Sequence, residues 1–265
     1  MATLAHPQPG FNGGGLETDD FGNLWTISMQ SNSAYLIDSG VPAFSDVPWL
    51  SVAPVSGKVG AGKTQVLTVT VNTAGLTPGI YLASIFVRSN SGREAALRIP
   101  VSVVVSAYLQ AANSGGAAYN DTLGDPWEAD RAHKNGNWGY VQKGTVVSVT
   151  KDIAGTTDQK LYRDLRSDPY AYRYDNVPNG IYDVDLRFAE LKNIKFGKRL
   201  YDVIVENTLV LPAHDIVYDV GTFAADDHRF FVEVTDGRLD VRFIPRTGSE
   251  LPVVNAIRVT HRPDR

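Results

Sequence analysis

The alternation of apolar and polar residues through Ile181–Val205 constrains the fold of this chain more than any other feature. Val184, Leu186 and Phe188 alternate with Asp183, Asp185 and Arg187, and Leu200–Val205 repeats the pattern after a polar break that contains Gly197. A period of two puts every second side chain on one side of a strand, so each run predicts a strand with one buried face. Two antiparallel strands of this kind are expected to hold the loop Leu191–Lys198 at one rim of a sheet. Sandwiches commonly build binding sites at such rims. Strand patterns dominate the surrounding sequence, and no window carries a long helical period. Asn179-Gly180 and Asp236-Gly237 have the composition of two-residue hairpin turns.

At 265 residues the chain is long enough for two domains with sizeable cores. A hydrophobic fraction of 43% and a charged fraction of 20% are those of an ordinary globular protein. The net charge of −4 gives no reason to expect nucleic acid or an acidic membrane surface as a partner, and a monomer is expected. Cysteine is absent, which excludes disulfides, thiolate catalysis and cysteine-ligated metals. Apolar runs such as Val101–Val105 are far too short to span a bilayer, and Met1–Gly10 shows no signal-peptide pattern. The opening residues read as if mid-domain, so the chain is expected to be a piece of a larger protein.

Residues 1–43 are rich in Gly and Pro, with two short strands expected over Gly22–Ile27 and Ala34–Asp38. DDFGNLWTIS followed by YLID resembles the closing half of a propeller blade. From about Phe44, short two-faced strands recur with turn signals between them, as in a small β-sandwich. Gly57–Thr64 (GKVGAGKT) satisfies the phosphate-loop pattern letter for letter, but that chemistry needs a helix after the loop. Here QVLTVTVN follows, a strand pattern, so the stretch reads as a solvated glycine-rich hairpin. The run W-L-x-V-x-P-x-S-G-x-V, then P-G-x-Y and S-N, resembles the immunoglobulin-like modules of bacterial secreted and surface proteins. It covers residues 44–106, and Ser106-Ala107 forms a short hinge.

Residues 108–262 carry several ordered blocks: A-x-N-x-G-G, W-x-A-D, G-T-x-D-x-x-L-Y, P-N-G-x-Y-x-V-x-L-x-F-A-E, Tyr201-Asp202-Val203, D-G-x-L and N-A-I. Together they resemble the malectin family. The fold expected on this resemblance is all-β, an immunoglobulin-like β-sandwich followed by a malectin-type (galactose-binding-like) jelly-roll β-sandwich. The resemblance implies a non-catalytic, lectin-like module that binds glucose-type oligosaccharides. It also implies an extracellular accessory region of a secreted bacterial protein, paired with a protease or glycosidase domain of the same polypeptide.

Sugar binding needs aromatic rings for the apolar faces of a pyranose and carboxylates or amides for its hydroxyls. Laid on this chain, the resemblance puts Trp138 at the first ring position, with Tyr140 nearby. Ser167 stands where a second ring is expected, and Lys192-Asn193 where an aromatic pair is expected. Glu250 occupies the acidic position, and Asp168 could add a polar contact. The ligand site expected is therefore Trp138, Tyr140, Ser167, Asp168, Lys192, Asn193 and Glu250, with its stacking platform mostly replaced. A structural or protein-contacting module that has lost the sugar site is the competing expectation. Tyr170, Tyr172 and Tyr174 alternate along one strand and read as packing residues, with a ligand platform as the alternative.

No enzyme chemistry is expected. The histidines lack H-E-x-x-H spacing and there is no G-x-S-x-G elbow. Asp226-Asp227-His228 and His214-Asp215 set acids beside imidazoles, but adjacent strand residues face opposite ways, so solvated or loop-capping roles are expected. No cofactor is expected. Asp19-Asp20 and Asp226-Asp227 are candidate oxygen donors for a structural calcium, although no loop carries the D-x-[DN]-x-[DN]-G spacing.

Overall fold

Period-two runs become strands throughout the computed structural model of the chain, which describes residues 14–18, 24–28, 31–37, 47–90 and 96–265. In chain order the strands before Val104 are β1 (Gly14–Thr18), β2 (Leu24–Ser28), β3 (Ser33–Ile37), β4 (Leu50–Ala53), β5 (Thr68–Val71) and β6 (Gly79–Arg88), and β7 (Ala96–Val105) runs into the next unit. Then come β8 (Leu109–Asn113), β9 (Tyr119–Asn120), β10 (Pro126–Ala129), β11 (Trp138–Tyr140), β12 (Thr145–Ser148), the single-turn helix α1 (Lys160–Arg163), β13 (Asp164–Ser167) and β14 (Ala171–Asp175). The chain closes with β15 (Gly180–Phe188), β16 (Tyr201–Val205), β17 (Thr208–His214), the short helix α2 (Ile216–Asp219), β18 (Asp226–Val234), β19 (Arg238–Pro245), β20 (Val253–Val254) and β21 (Ala256–His261). Residue contacts divide these elements into two units, with the boundary at Val104 and Thr77–Gly79 grouped with the second.

In the first unit, β1, β2 and β3 form one antiparallel sheet, so the expected pair of strands is joined by a third. Asp19, Asp20 and Asp38 lie outside the described residues. Strands β4 and β5 pair, as do β6 and β7. Trp49, 7% exposed and edge-on to Tyr81, is the one large apolar side chain buried among the described residues of this unit. The segment after Gly57 turns through the Lys63 N–H to Gly60 C=O bond and continues into β5. A strand rather than a helix follows the phosphate-loop pattern.

The second unit is a two-sheet sandwich. One sheet has the order β18-β15-β21-β8-β10-β9 and the other β11-β14-β19-β16-β17, with a small third sheet, β12-β13-β20, beside them. Tyr182, Val184, Leu186 and Phe188 of β15 face inward, as their alternation predicts, and meet Tyr201, Val203 and Val205 of β16 and Leu239, Val241 and Phe243 of β19 in one core.

From β14 to β16, and again from β17 to β19, the chain alternates between the two sheets, which corrects three local expectations. Strands β15 and β16 lie in different sheets, so Leu191–Lys198 crosses the rim between sheets instead of closing a hairpin. Asn179-Gly180 joins β14 to β15, and Asp236-Gly237 joins β18 to β19; both are corners from one sheet to the other. The two corners brace each other, because Asn179 Oδ1 accepts from Gly237 N at 2.9 Å and Asn179 Nδ2 donates to the Thr235 carbonyl at 2.9 Å. The tight hairpin β16–β17 turns at Glu206-Asn207, where no glycine signal exists and Glu206 takes a φ of 55°.

The ordered sequence blocks turn out to be framework. Asp130 of W-x-A-D accepts from Gly115 N at 2.6 Å, from Tyr172 Oη at 2.9 Å and from Arg166 Nε. Gly115 has a φ of 79°, and a Cβ there would sit 2.6 Å from the Leu165 carbonyl oxygen, so only glycine fits. Asn255 of N-A-I is fully buried. It accepts from Ala189 N at 2.7 Å and donates to the carbonyls of Tyr162 and Asp164, both at 2.9 Å. Trp127 Nε1 donates to Asp121 Oδ2 at 3.1 Å. Asp130, Asn255 and Trp127 thus direct their polar groups to partners inside the protein.

Candidate functional site

Three loops meet at one rim of the sandwich. The segment 168–170 leaves β13, the loop 191–198 leaves β15, and the segment 246–252 leaves β19. They are tied through their backbones: Asp168 N donates to the Pro252 carbonyl at 2.8 Å, and Glu250 N to the Lys198 carbonyl at 2.8 Å. A buried ion pair anchors the middle loop. Arg199 Nε donates to Glu190 Oε2 at 2.6 Å, Glu190 Oε1 accepts from Lys192 N at 2.9 Å, and Arg199 Nη1 reaches the Leu251 carbonyl. Glu190 is the last residue of the F-A-E block, so that motif works as the clamp that ties two rim loops to the core.

Of the residues expected at the site, five share this rim. Ser167 ends β13 and is half-buried, and Asp168 follows it with a φ of 57°. Gln142 Nε2 donates to Asp168 Oδ2 at 2.6 Å. Lys192 and Asn193 are exposed on the loop 191–198, and Lys192 Nζ lies 3.3 Å from Glu250 Oε2. Tyr140 lies close by, since Val141 N and Gln142 N bond the carbonyls of Ala171 and Pro169. Its ring is half-buried, with the Arg166 guanidinium 3.6 Å from the centroid and Tyr172 edge-on at 6.4 Å.

Trp138 departs from the expectation. It pairs with Tyr174, at the end of β14 away from Pro169, and is 3% exposed. Its ring stacks on Tyr174 at 6.1 Å and 14°, and Arg131 lies 4.1 Å from its centroid. A ring so enclosed offers no face to a sugar; Trp138 is a core residue.

Two aromatic rings are exposed on the rim, Tyr170, which its alternation places among packing residues, and Phe196, which no sequence signal singles out. Tyr170 is 49% exposed, whereas Tyr172 and Tyr174 are fully buried. The alternating triplet breaks because Asp168 and Tyr170, on either side of Pro169, both take a φ of 57°. Left-handed backbone at two non-glycine residues stores strain, and such strain gathers at functional sites. Phe196, in the middle of the loop 191–198, is 70% exposed. Gly144 completes the rim: it has a φ of 50°, and a Cβ there would collide with the Ser167 carbonyl oxygen at 2.0 Å.

A second cluster sits at one edge of the sandwich. His214, Asp219, Asp226 and His228 bring one ligand atom each within 4.8 Å of the others. This revises the solvated roles expected for His214 and for Asp226–His228, because His214 and Asp226 are buried. Asp226 and His228, two apart on β18, share a face, while Asp227 turns the other way and accepts from Tyr162 Oη at 2.6 Å. Asp226 and Asp227 therefore cannot chelate one calcium together. Burial works to raise the Asp226 carboxyl, but the His214 hydrogen bond and the His228 imidazole 2.9 Å away outweigh it and hold the pKa at about 2.

The malectin domain family matches residues 108–260, more than half of the chain. The protein belongs to the malectin family. No curated protein matches the sequence. Among solved structures, a β-glucuronidase of Bacteroides uniformis superposes with a TM-score of 0.54 at 17% identity, covering 80% of this chain and 26% of the enzyme. The ANX1 ectodomain of Arabidopsis thaliana superposes with a TM-score of 0.50 at 14% identity, covering 66% of this chain and 60% of its own. At these identities the likeness speaks to the fold. The chain spans about a quarter of the glucuronidase's length. The malectin sandwich is thus a carbohydrate-binding fold, and no described helix of the chain is long and apolar enough to cross a membrane.

Proposed function

We propose that the malectin sandwich binds carbohydrate, without cleaving it, at the rim built from Ser167, Asp168, Lys192, Asn193 and Glu250. The observation that carries the reading is the placement of Tyr170 and Phe196, both exposed, on the same tied loops as those polar residues. Their rings supply the apolar surface that a pyranose face stacks on, in place of the rings missing at Ser167, Lys192 and Asn193. The Asp168 and Glu250 carboxylates and the Asn193 amide supply partners for hydroxyls, and Lys192 adds a donor. Tyr140 backs the rim from behind, under Arg166. A glucose-type oligosaccharide or related glycan is the ligand class.

In this reading the chain is an accessory region of a secreted bacterial protein, with residues 44–106 as an immunoglobulin-like module ahead of the sandwich. The superposition on the glucuronidase supports it, because the matched 80% exceeds what the malectin residues alone supply. A catalytic domain would then lie elsewhere in the parent polypeptide. The competing reading, a contact module with no sugar site, draws on the polar pairs Lys192–Glu250 and Gln142–Asp168, which already satisfy one another.

Glycan-array binding followed by calorimetry on the whole chain separates the two. Tyr170→Ala and Phe196→Ala should each weaken glucan binding about three- to tenfold, and Lys192→Ala with Glu250→Ala should change which glycan is preferred. A folded protein that binds no glycan would favour the contact module. Binding unaffected by all four substitutions would put the site elsewhere on the sandwich.

A further inference from the structure

The chain has no cysteine, yet two sheet edges are drawn together by a cluster with the donors of a metal site. Strand β17 is the edge of the five-stranded sheet and supplies His214 at its last position. Strand β18 is the edge of the six-stranded sheet and supplies Asp226 and His228. Asp219, the last residue of α2, comes from the connection between them. His214 and Asp226 are buried and form the floor; His228 and Asp219 are partly exposed and form the mouth.

We propose that His214, Asp219, Asp226 and His228 bind one divalent transition-metal ion of the zinc type, which staples the two sheets of the sandwich. Four donors at roughly 2.0–2.2 Å from a tetrahedral ion lie about 3.3–3.6 Å from one another. The separations here bracket that figure. His214 Nε2 is 2.8 Å from Asp226 Oδ2 and 3.8 Å from Asp219 Oδ2, and His228 Nε2 is 2.9 Å from Asp226 Oδ1. Movements of under an ångström would therefore close the shell. The imidazoles stand at 84° with centroids 5.0 Å apart, so their Nε2 atoms converge without the rings colliding.

A second observation points to a cation. Despite its 2.9 Å approach to Asp226, the buried Nε2 of His228 is poorly aligned and makes no hydrogen bond. A ring nitrogen aimed into a two-carboxylate pocket and left unpartnered is costly, and an ion at the centre removes that cost. Charge agrees as well: two neutral imidazoles and two carboxylates sum to −2, which one divalent ion cancels. Two imidazoles select zinc, cobalt or nickel over calcium and magnesium, whose shells are oxygen. The rings are oriented by packing. Phe188 lies 4.7 Å and Tyr201 5.2 Å from the His214 ring, and Phe230 stacks parallel to His228 at 6.3 Å.

The ion would also steady the rim. Asp215, next to His214, accepts from Val217 N at 3.0 Å and Tyr218 N at 3.2 Å to cap α2, and it accepts from Gly197 N on the loop 191–198. This role does not depend on whether the rim binds a glycan.

Cobalt is the probe that tests the site directly, because a tetrahedral Co²⁺ complex has visible d–d bands. The whole chain, stripped with EDTA and titrated with Co²⁺, should develop those bands at one ion per chain and lose them on adding Zn²⁺. Asp219→Asn and His228→Gln, both at the mouth, should each weaken Co²⁺ binding at least about tenfold. Their melting temperatures in EDTA should stay near that of the EDTA-treated parent. Zn²⁺ should raise the melting temperature of the parent and not of the double variant. A folded parent that develops no tetrahedral bands would overturn the proposal. So would bands, or a zinc-dependent thermal shift, that persist unchanged in the double variant.

Discussion

Breaking the Glu190–Arg199 pair is the perturbation that most directly tests how the rim is held. The two side chains are 1% and 3% exposed, and Glu190 Oε2 receives Arg199 Nε at 2.6 Å. Glu190→Gln keeps the size and leaves an acceptor for Lys192 N, but it removes the charge opposite a buried guanidinium. Arg199→Met keeps much of the volume and strands the carboxylate. Leaving one charge of a buried pair uncompensated costs about 3–5 kcal/mol, against 0–1 kcal/mol for an exposed pair. For a sandwich of this size, a loss of 3 kcal/mol corresponds to roughly 6–12 °C in melting temperature. The double variant Glu190→Gln/Arg199→Met leaves neither charge and should be more stable than either single variant, giving a coupling energy of about 2 kcal/mol or more. Urea unfolding followed by near-ultraviolet circular dichroism would measure all four corners of the cycle. Single variants that each cost under about 1 kcal/mol and add without coupling would refute the reasoning, because the pair would then behave as a solvated one.

Asn255→Ala removes one acceptor and two donors from a fully buried position and should cost about 3 kcal/mol or more in the same urea experiment. Gly144→Ala should lower the melting temperature and weaken any glycan binding together, since its Cβ would displace the Ser167 carbonyl on the rim. Acid should act through Asp121. Burial tends to raise its pKa, but the bonds from Trp127 Nε1 and the amides of Asp125 and Leu123, with Arg258 nearby, outweigh it and lower the pKa. A depressed carboxyl contributes stability that is complete above its unfolded pKa, about 3.9, and is lost as pH falls through the lower folded value. The stability gap between the parent and Asp121→Asn, measured by urea unfolding, should therefore be full at pH 6 and shrink below about pH 4. A gap independent of pH would show that the carboxylate charge is not what the bonds require.

Strands were legible because burial on one face imposes a period of two, and Tyr182, Val184, Leu186 and Phe188 of β15 are all fully buried, although Asp183 between them is buried too. Sheet membership was not legible. Asn179-Gly180 and Asp236-Gly237 encode a sharp reversal, but nothing local says whether the next strand returns to its neighbour or crosses to the facing sheet. Trp138 took a ligand ring position on the resemblance, yet β11 pairs it with Tyr174, and its ring is enclosed between Tyr174 and Arg131. Tyr170 looked like packing because it alternates with Tyr172 and Tyr174; the left-handed residues beside Pro169 move it out to the rim. The histidine cluster joins positions 214, 219, 226 and 228, and only the i, i+2 relation of Asp226 and His228 could have hinted at it.

The sequence blocks that match the family and the residues of the rim differ in what they cost to change. Asp130, Asn255, Glu190 and Gly115 are each fixed by several buried contacts, so replacing one costs a sizeable part of the roughly 5–15 kcal/mol that stabilises a domain. Lys192, Asn193 and Glu250 are exposed, and substitutions at such positions usually stay within about 0.5 kcal/mol. The framework can therefore stay fixed while the exposed residues of the rim change. On this physics, family membership determines where on the sandwich the loops gather. The chemistry of what they contact is set by the few side chains whose replacement the fold does not feel.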